Sequence, residues 1–410
     1  MARIKDKEKK SLKRREKSDK NRLKLDRSGV RSSGLLGNVT RTFSEINHSI
    51  LLLVIVLCVF GVLSVYSAGY YQTVGQGSTT YYLKRQLFFM ATGSLLLVFG
   101  ACYDYHKWTR WALPLLVLSI VLLLFVLAFG ASANGAQRWI GIGPVRITPS
   151  EISKVAMIIY TSVFLAADPR RNRGKYIIYL MAVMAVHFVL VFEQPNLSTA
   201  IVISAIMLGI MFIAGLRLIW IGAFAGLGVA GTFAILNFAK GSHWYSRLTS
   251  FRDPFAEMQG SGYQVSQSLI ALGNGGLKGL GVGNSITKNL YLPEPQNDFI
   301  LAVIGEEIGF IGVALLMCVY IILFYQCIMT AAKAKDRLGF YLAAGVAIML
   351  GLQVVINVAV VTSSMPATGI TLPFVSYGGT SIWVFMLSMG ILLNISRGQR
   401  VKKSKKRMVQ

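Results

Sequence analysis

The chain has 410 residues, of which 54% are hydrophobic and 14% are charged, whereas an average soluble domain has about 25% charged residues. This balance excludes a soluble globular domain, and runs of about 20 apolar residues recur, the length that a membrane-spanning helix needs. The net charge of +25 could indicate nucleic-acid binding, but 15 of the 42 lysines and arginines lie in residues 1–45 and seven in residues 397–410. Basic tails beside apolar helices are typical of the cytoplasmic face of a membrane protein, so we expect no nucleic-acid partner.

Residues 1–45 mix basic and acidic side chains with little apolar mass. This composition predicts a disordered cytoplasmic arm that is attracted to anionic membrane lipid. A cleavable signal peptide is not expected, because the basic region is long and the first apolar run is long enough to remain as an anchor.

Ten apolar segments follow, and we predict an all-α polytopic membrane protein with about ten transmembrane helices in residues 46–396. The predicted spans are 46–68, 86–104, 111–130, 150–167, 176–194, 197–215, 218–238, 299–328, 338–362 and 370–395. An even number of spans places both termini in the cytoplasm and makes residues 397–410 a basic cytoplasmic tail. The excess of lysine and arginine in the segments assigned to the inside supports this topology.

About 60 residues, 239–298, separate the seventh and eighth spans, which is too many for a plain connector. The topology places them outside the cell as a large extracytoplasmic loop. Its apolar residues alternate with polar ones and predict a short amphipathic helix at the membrane surface. These apolar residues are Tyr263, Val265, Leu269, Ile270 and Leu272. Six glycines in residues 273–283 follow, and we interpret them as a flexible turn at lipid or ligand, since no nucleotide-binding motif is present.

Charged side chains in or beside apolar spans are costly and usually functional. Glu151 and Lys154 lie three residues apart on one helical face, so they either neutralise each other or form the wall of a polar cavity. Arg138 and Arg146 precede them in a predicted outer loop. These arginines either anchor the chain to lipid headgroups or bind a diphosphate.

Asp298 lies at the predicted outer start of the eighth span. A carboxylate is favourable at a helix start, so Asp298 is either a helix cap or a base at the membrane surface. Glu306 and Glu307 follow within this span. Because neighbouring positions on a helix point about 100° apart, we expect these two side chains to have different partners.

Five long motifs, in order along the chain, resemble the SEDS family (shape, elongation, division and sporulation). They are TPSEISKVA, QPNLSTA, RLTSFRDPFAEMQGSGYQVSQSLIALGNGGLKGLGVG, YLPEPQNDFILAVIGEEIGFIG and TGITLPFVSYGGTS. The resemblance covers residues 46–397 and is closest to the division and sporulation branch, FtsW and SpoVE. It implies a ten-helix enzyme that polymerises peptidoglycan from lipid II.

The resemblance also implies site residues. The catalytic aspartate of the family falls on Asp298, although Gln296 and Asn297 replace the usual His-Thr before it. Asn196 stands where the family has an aspartate, so we do not expect that position to be catalytic. The substrate-binding positions implied by the family motifs are Arg138, Glu151, Lys154, Gln194, Tyr263, Gln264, Ser268, Ser376 and Tyr377.

The implied reaction extends a glycan that is carried on a polyprenyl diphosphate. The 4-hydroxyl of GlcNAc in lipid II attacks the anomeric carbon of the donor's MurNAc, Asp298 takes the proton, and undecaprenyl diphosphate leaves. Arg138 and Lys154 would lie near the diphosphates, with Glu151 orienting Lys154. No cofactor follows from the sequence, and a divalent cation, Mg²⁺ or Mn²⁺, stays open.

The partners that the resemblance implies are lipid II, the nascent polyprenyl-linked glycan, membrane lipid, a class B penicillin-binding transpeptidase and other division proteins. The implied location is the bacterial cytoplasmic membrane at the division septum. Three alternatives stay open: an elongation-type, RodA-like polymerase, a lipid II transporter and a scaffold for division partners. A transporter should have polar groups that reach the inner face, and a scaffold does not explain an outer carboxylate.

Overall fold

The computed structural model describes residues 42–74, 79–133, 136–142, 145–168, 175–238, 251, 253–256, 262–289 and 291–407. The chain divides into two compact units, Met1–Ile46 and Asn47–Gln410. Of the first unit, residues 42–46 are described, and 42–45 are helical. The predicted disordered arm therefore lies almost wholly outside the described residues.

Helices make up most of the second unit. In chain order they are α1 (His48–Val74), α2 (Tyr81–Cys102), a 3₁₀ turn (Tyr105–Lys107), α3 (Trp108–Phe129), α4 (Pro149–Ala167), α5 (Lys175–Phe192), α6 (Leu197–Ile213), α7 (Leu218–Phe238), α8 (Tyr263–Gly275), α9 (Ile300–Ala332), α10 (Arg337–Val361) and α11 (Gly379–Arg407). Three short strands stand between α3 and α4: β1 (Ala131–Ala133), β2 (Ala136–Ile142) and β3 (Val145–Ile147).

Eight of the described helices are long and apolar enough to cross a membrane. Two more apolar stretches, Leu197–Ile213 and Leu218–Gly228, are shorter. The predicted helical, multi-pass membrane fold is confirmed, whereas the count of ten spans and the outer position of residues 239–298 stay predictions. The last candidate span ends at Arg397, but α11 continues to Arg407, so the predicted basic tail begins as an extension of that helix.

The centre of the helical bundle contains α4, whose residues 153–162 are all buried. α11 packs closely along α2, and two glycines permit this approach. A Cβ atom on Gly390 would lie 2.4 Å from the carbonyl oxygen of Leu97, and one on Gly100 would lie 3.0 Å from that of Leu387. Small residues at such crossings let helix backbones meet, which is how membrane helices gain packing energy without a hydrophobic driving force.

The three strands form an antiparallel sheet in the order β1–β2–β3, which the all-α prediction did not include. Trp139 pairs with Ala131, and Ile140 pairs with Ile147. All four residues lie in the segment for which we predicted only an outer loop. β3 directly precedes α4, and β2 contacts both α3 and α4.

The glycine-rich segment 273–283, which we interpreted as a flexible turn at lipid or ligand, instead packs against protein backbone. α9 is interrupted at Gly309, where φ is 67° and ψ is −174°. At this break, Phe310 donates its backbone N–H to Gly276, and Leu280 donates to Glu306. A Cβ atom on Gly279 would lie 2.2 Å from the carbonyl oxygen of Glu307. The glycines are therefore needed for backbone contact as well as for positive φ.

The predicted helix in the loop forms as α8. Its buried residues are Val265, Ser266, Ser268, Ala271 and Gly275. A Cβ atom on Gly275 would lie 2.0 Å from the carbonyl oxygen of Gly305, so α8 and the first part of α9 are in close contact. Its place at the membrane surface stays a prediction.

A buried polar cluster joins α1, the segment after α8, and α9. Lys288 donates from Nζ to Glu307 Oε1 at 2.8 Å and to Ser67 Oγ at 2.9 Å. Glu306 accepts bonds from Ser285 and Thr287 instead. The expectation that the two glutamates have different partners is confirmed. The sequence did not predict that Lys288 is buried, because a lysine in a predicted outer loop is ordinarily solvated.

Candidate functional site

A cavity of about 380 Å³ lies where the start of α2, the sheet, the start of α4 and the segments before α9 and α11 meet. Its lining residues are Tyr81, Tyr82, Arg85, Phe89, Arg138, Trp139, Arg146, Thr148, Glu151, Asn196, Thr199, Glu294, Gln296, Asn297, Asp298, Gly369, Thr371, Tyr377, Gly378, Gly379, Thr380 and Ser381. Three arginines and three carboxylates line the cavity, which suits an anionic ligand whose reaction needs a base.

Asp298 and Arg138 both line the cavity beside Gly369, which leaves room for the two side chains. A Cβ atom on Gly369 would lie 3.4 Å from Asp298 Oδ2 and 3.7 Å from Arg138 Nη1. Asp298 stands just ahead of Phe299, the N-cap of α9. Its carboxylate therefore projects into the cavity next to a guanidinium group.

The backbone that follows α5 orients Arg138. The Nε atom of Arg138 donates to the carbonyl oxygen of Gln194 at 3.1 Å, and Nη2 donates to that of Pro195. The side chain of Gln194 is buried and donates to the carbonyl oxygen of Leu123 at 3.1 Å. Gln194 thus lies behind the cavity wall and touches Arg138 through its backbone.

Glu151 and Lys154, in the first turns of α4, form a close ion pair. Lys154 Nζ lies 2.6 Å from Glu151 Oε1, and the lysine side chain is 1% exposed. Glu151 lines the cavity, but Lys154 does not. The lysine charge therefore acts on the cavity through the carboxylate that it holds.

Tyr377 lines the cavity, and its neighbour Ser376 supports the turn behind it. The backbone N–H of Tyr377 donates to the carbonyl oxygen of Gln296 at 2.9 Å, and Ser376 Oγ accepts from the N–H of Leu372 at 2.8 Å. Burial raises the pKa of the Tyr377 phenol above its ordinary value, and a hydrogen bond with Arg85 opposes this only in part. Tyr377 is therefore a protonated hydroxyl at neutral pH.

The remaining predicted residues lie on α8, away from the lining of this cavity. Tyr263 and Gln264 are half-buried in its first turn. Ser268 is buried and donates to the carbonyl oxygen of Val361 at 2.8 Å. The structure thus gathers Asp298, Arg138, Glu151 and Tyr377 at one cavity, with Lys154, Gln194 and Ser376 behind its wall.

Two further charged residues line the cavity without having been singled out from the sequence. Arg85, on α2, packs 4.6 Å above the centre of the Tyr81 ring. Glu294 lines the cavity four residues before Asp298. Arg85 was missed because a basic residue at the edge of an apolar span ordinarily contacts lipid headgroups. A third residue, Arg146, was predicted only as either a headgroup anchor or a diphosphate ligand, and it lines the cavity as well.

In the part of the chain that the structure describes, no three His, Cys, Asp or Glu side chains are placed to hold a metal ion. The divalent cation that the sequence leaves open therefore has no set of protein ligands of these types among the described residues.

Residues 47–401 match the family FTSW_RODA_SPOVE, described as cell cycle protein. This chain belongs to that family. A curated relative from Trichlorobacter lovleyi, named probable peptidoglycan glycosyltransferase FtsW, is 37% identical over 87% of this chain and 95% of its own length. Stage V sporulation protein E of Bacillus subtilis is 38% identical over 85% of this chain and 97% of its own. The predicted SEDS family and its FtsW/SpoVE branch are confirmed.

Solved structures have the same fold. One chain, from work on the structural coordination of polymerization and crosslinking by a peptidoglycan synthase complex, has a TM-score of 0.72 at 24% identity and covers 86% of this chain and 98% of its own. The rod shape determining protein RodA of Thermus thermophilus has a TM-score of 0.63 at 25% identity and covers 86% of this chain and 97% of its own.

Proposed function

We propose that this member of the family is a peptidoglycan glycosyltransferase that polymerises lipid II at the outer face of the cytoplasmic membrane. One observation supports this function most: the Asp298 carboxylate and the Arg138 guanidinium lie beside the same glycine, Gly369, in a cavity lined by three arginines. The curated FtsW relatives are named for the same activity.

In this proposal Asp298 is the general base. The acceptor is the 4-hydroxyl of GlcNAc in lipid II, a weak nucleophile that must lose its proton as it attacks the anomeric carbon of the donor's MurNAc. The new bond is β, the bond to the diphosphate breaks, and undecaprenyl diphosphate leaves with the electron pair. A positioned carboxylate base contributes about 10²- to 10⁴-fold to such a step.

The arginines act on the leaving group. Negative charge grows on the diphosphate as its bond to the sugar breaks, and fixed guanidinium groups stabilise that charge in the transition state. Arg138 shares the position beside Gly369 with Asp298, and Arg85 and Arg146 add positive charge to the lining of the cavity. The protonated hydroxyl of Tyr377 is a further donor to the substrate.

The biological setting proposed here follows the family branch. The protein works in septal wall synthesis in the bacterial cytoplasmic membrane, with both termini in the cytoplasm. Its partners are a class B penicillin-binding transpeptidase and other division proteins. A likeness to a chain from a peptidoglycan synthase complex supports such an assembly.

Purified protein supplied with labelled lipid II tests the function directly. Polymer formation is the expected result. Movement of lipid II between leaflets of a vesicle without polymer would instead identify a transporter. If neither polymer nor movement is observed, the scaffold alternative is left.

Neutralising the buried ion pair should separate fold from function. In the double variant Glu151→Gln/Lys154→Met no charge remains unpaired, so we expect thermal stability close to that of the wild type. Polymerisation should still fall by about tenfold or more, because the cavity loses a charged carboxylate and the cation that holds it. Thermal melting in detergent and turnover of lipid II measure the two effects.

The single variant Lys154→Ala should lose both stability and activity, since Glu151 is then left without its cation. Lys84→Met is the matched control, because Lys84 is exposed on α2 near the same end of the bundle and does not line the cavity. Full activity in the double variant would mean that the pair is only structural.

A further inference from the structure

Asn357 is a buried amide in the last turns of α10, an apolar helix that can span the membrane. Its side chain is 1% exposed. A polar group in such a place is costly unless it is hydrogen-bonded. Its position therefore calls for specific partners.

Those partners are two backbone carbonyl groups. Asn357 Nδ2 donates to the carbonyl oxygen of Asp298 at 2.8 Å and to that of Ile370 at 2.8 Å. An amide nitrogen has two protons, so one side chain can make both bonds, whereas a carboxylate in the same place could make neither.

The two carbonyl groups belong to two segments that line the cavity, one at Asp298 and one between Gly369 and Thr371. Asp298 supplies the carboxylate, and Ile370 directly follows Gly369, on which an added Cβ atom would lie 3.4 Å from that carboxylate and 3.7 Å from Arg138 Nη1. By binding both segments, Asn357 sets the distance between the backbone of Asp298 and the Gly369–Ile370 strip, which lies beside the Asp298 carboxylate. Asn357 itself does not line the cavity.

A second backbone bond ties this segment at a point further from the carboxylate. Tyr377 donates its N–H to the carbonyl oxygen of Gln296 at 2.9 Å, which ties the segment two residues before Asp298. Asp298 precedes the N-cap of α9, so its carbonyl oxygen stands one residue ahead of the first carbonyl of the helical ladder. The amide of Asn357 therefore fixes the point from which the carboxylate projects.

We propose that Asn357 is a positioning residue for Asp298: its single amide holds the general base and the Gly369–Ile370 strip in register, so that base, Arg138 and substrate meet. This role rests on the proposed glycosyltransferase function.

Replacing Asn357 with leucine, which has a similar size and no donor, tests the role. We expect kcat for lipid II polymerisation to fall about 10- to 100-fold, since a displacement of about 1 Å can cost up to about 10²-fold. KM for lipid II should change by less than about threefold, because the arginines of the cavity stay in place.

Gln353→Leu is the matched control. Gln353 is also on α10, one turn earlier, is fully buried, and neither side-chain polar atom has a hydrogen-bond partner in the described part of the chain. This substitution removes a buried side-chain amide from the same helix and leaves the bond between Asn357 and Asp298 in place. Its kcat should stay within about twofold of the wild type, and an equal fall in both variants would mean that any buried amide on α10 matters and would overturn the proposal.

Hydrogen–deuterium exchange provides a readout that does not depend on activity. Amides of residues 296–300 and 369–372 should exchange faster in Asn357→Leu than in Gln353→Leu, and Asn357→Ala replaces the leucine variant if that one does not purify folded. Unchanged exchange, or unchanged kcat, would overturn the positioning role. If the wild type makes no polymer, the proposed function fails, while the exchange experiment still decides whether Asn357 fixes these two segments.

Discussion

Replacing Asp298 with asparagine is expected to abolish polymerisation of lipid II, with turnover falling at least about 10²-fold. Asparagine keeps the shape of the side chain but cannot accept a proton at neutral pH. The fold should survive, because Asn357 binds the backbone carbonyl of residue 298, which the substitution leaves in place. Turnover is measured on purified protein with labelled lipid II, and binding of lipid II is measured separately.

Asp253→Asn is the control for loss of a carboxylate. Asp253 accepts bonds from the backbone N–H groups of Phe255 and Ala256, which an asparagine oxygen can also accept, and it does not line the cavity. Normal turnover in Asp298→Asn, with lipid II still bound, would remove Asp298 as the base and direct attention to Glu294 and Glu151.

Breaking the buried pair between Lys288 and Glu307 should have the largest effect on stability. The two side chains are 2% and 6% exposed, and Ser67 bonds to both. In Lys288→Met the Glu307 carboxylate stays buried without its cation, which costs about 3–5 kcal/mol of unfolding free energy. We expect a clear fall in the melting temperature of the protein in detergent. Intrinsic tryptophan fluorescence measures the melting curve.

The double variant Lys288→Met/Glu307→Gln should recover most of the lost stability, because no buried charge is then unpaired. Lys278→Met is the matched control, since Lys278 is exposed in the glycine-rich segment 273–283, ten residues before Lys288. A single variant Lys288→Met that melts with the wild type would show that this cluster does not hold the α9 break in place.

The first part of α9, up to the break at Gly309, connects the Lys288–Glu307 pair to the candidate site. Asp298 precedes the first part of α9, and Glu307 lies near its other end, two residues before Gly309. Lys288 joins that end to α1 through Ser67. Because the short helical piece is tied at both ends, loosening the Lys288 cluster should also lower turnover, though less than the loss of Asp298.

The sequence by itself determined what depends on local pattern. About 20 apolar residues in a row specify a membrane helix wherever they occur, so the multi-pass helical class was predictable. Spacing of three residues was enough to place Glu151 and Lys154 on one face, because a helix brings i and i+3 together without any tertiary contact. The family motifs assigned Asp298 without any knowledge of its surroundings.

The tertiary structure alone decided which charges are buried and which residues meet. Lys288 reaches Ser67, 221 residues away, and Asn357 reaches Asp298, 59 residues away. Both contacts depend on backbones that approach closely only where Gly279 and Gly309 omit a Cβ atom, or where several helix ends converge on one cavity. Such approaches are non-local, so a lysine in a loop, an asparagine in an apolar helix and Arg85 at the edge of a span carry no sequence signal of their partners.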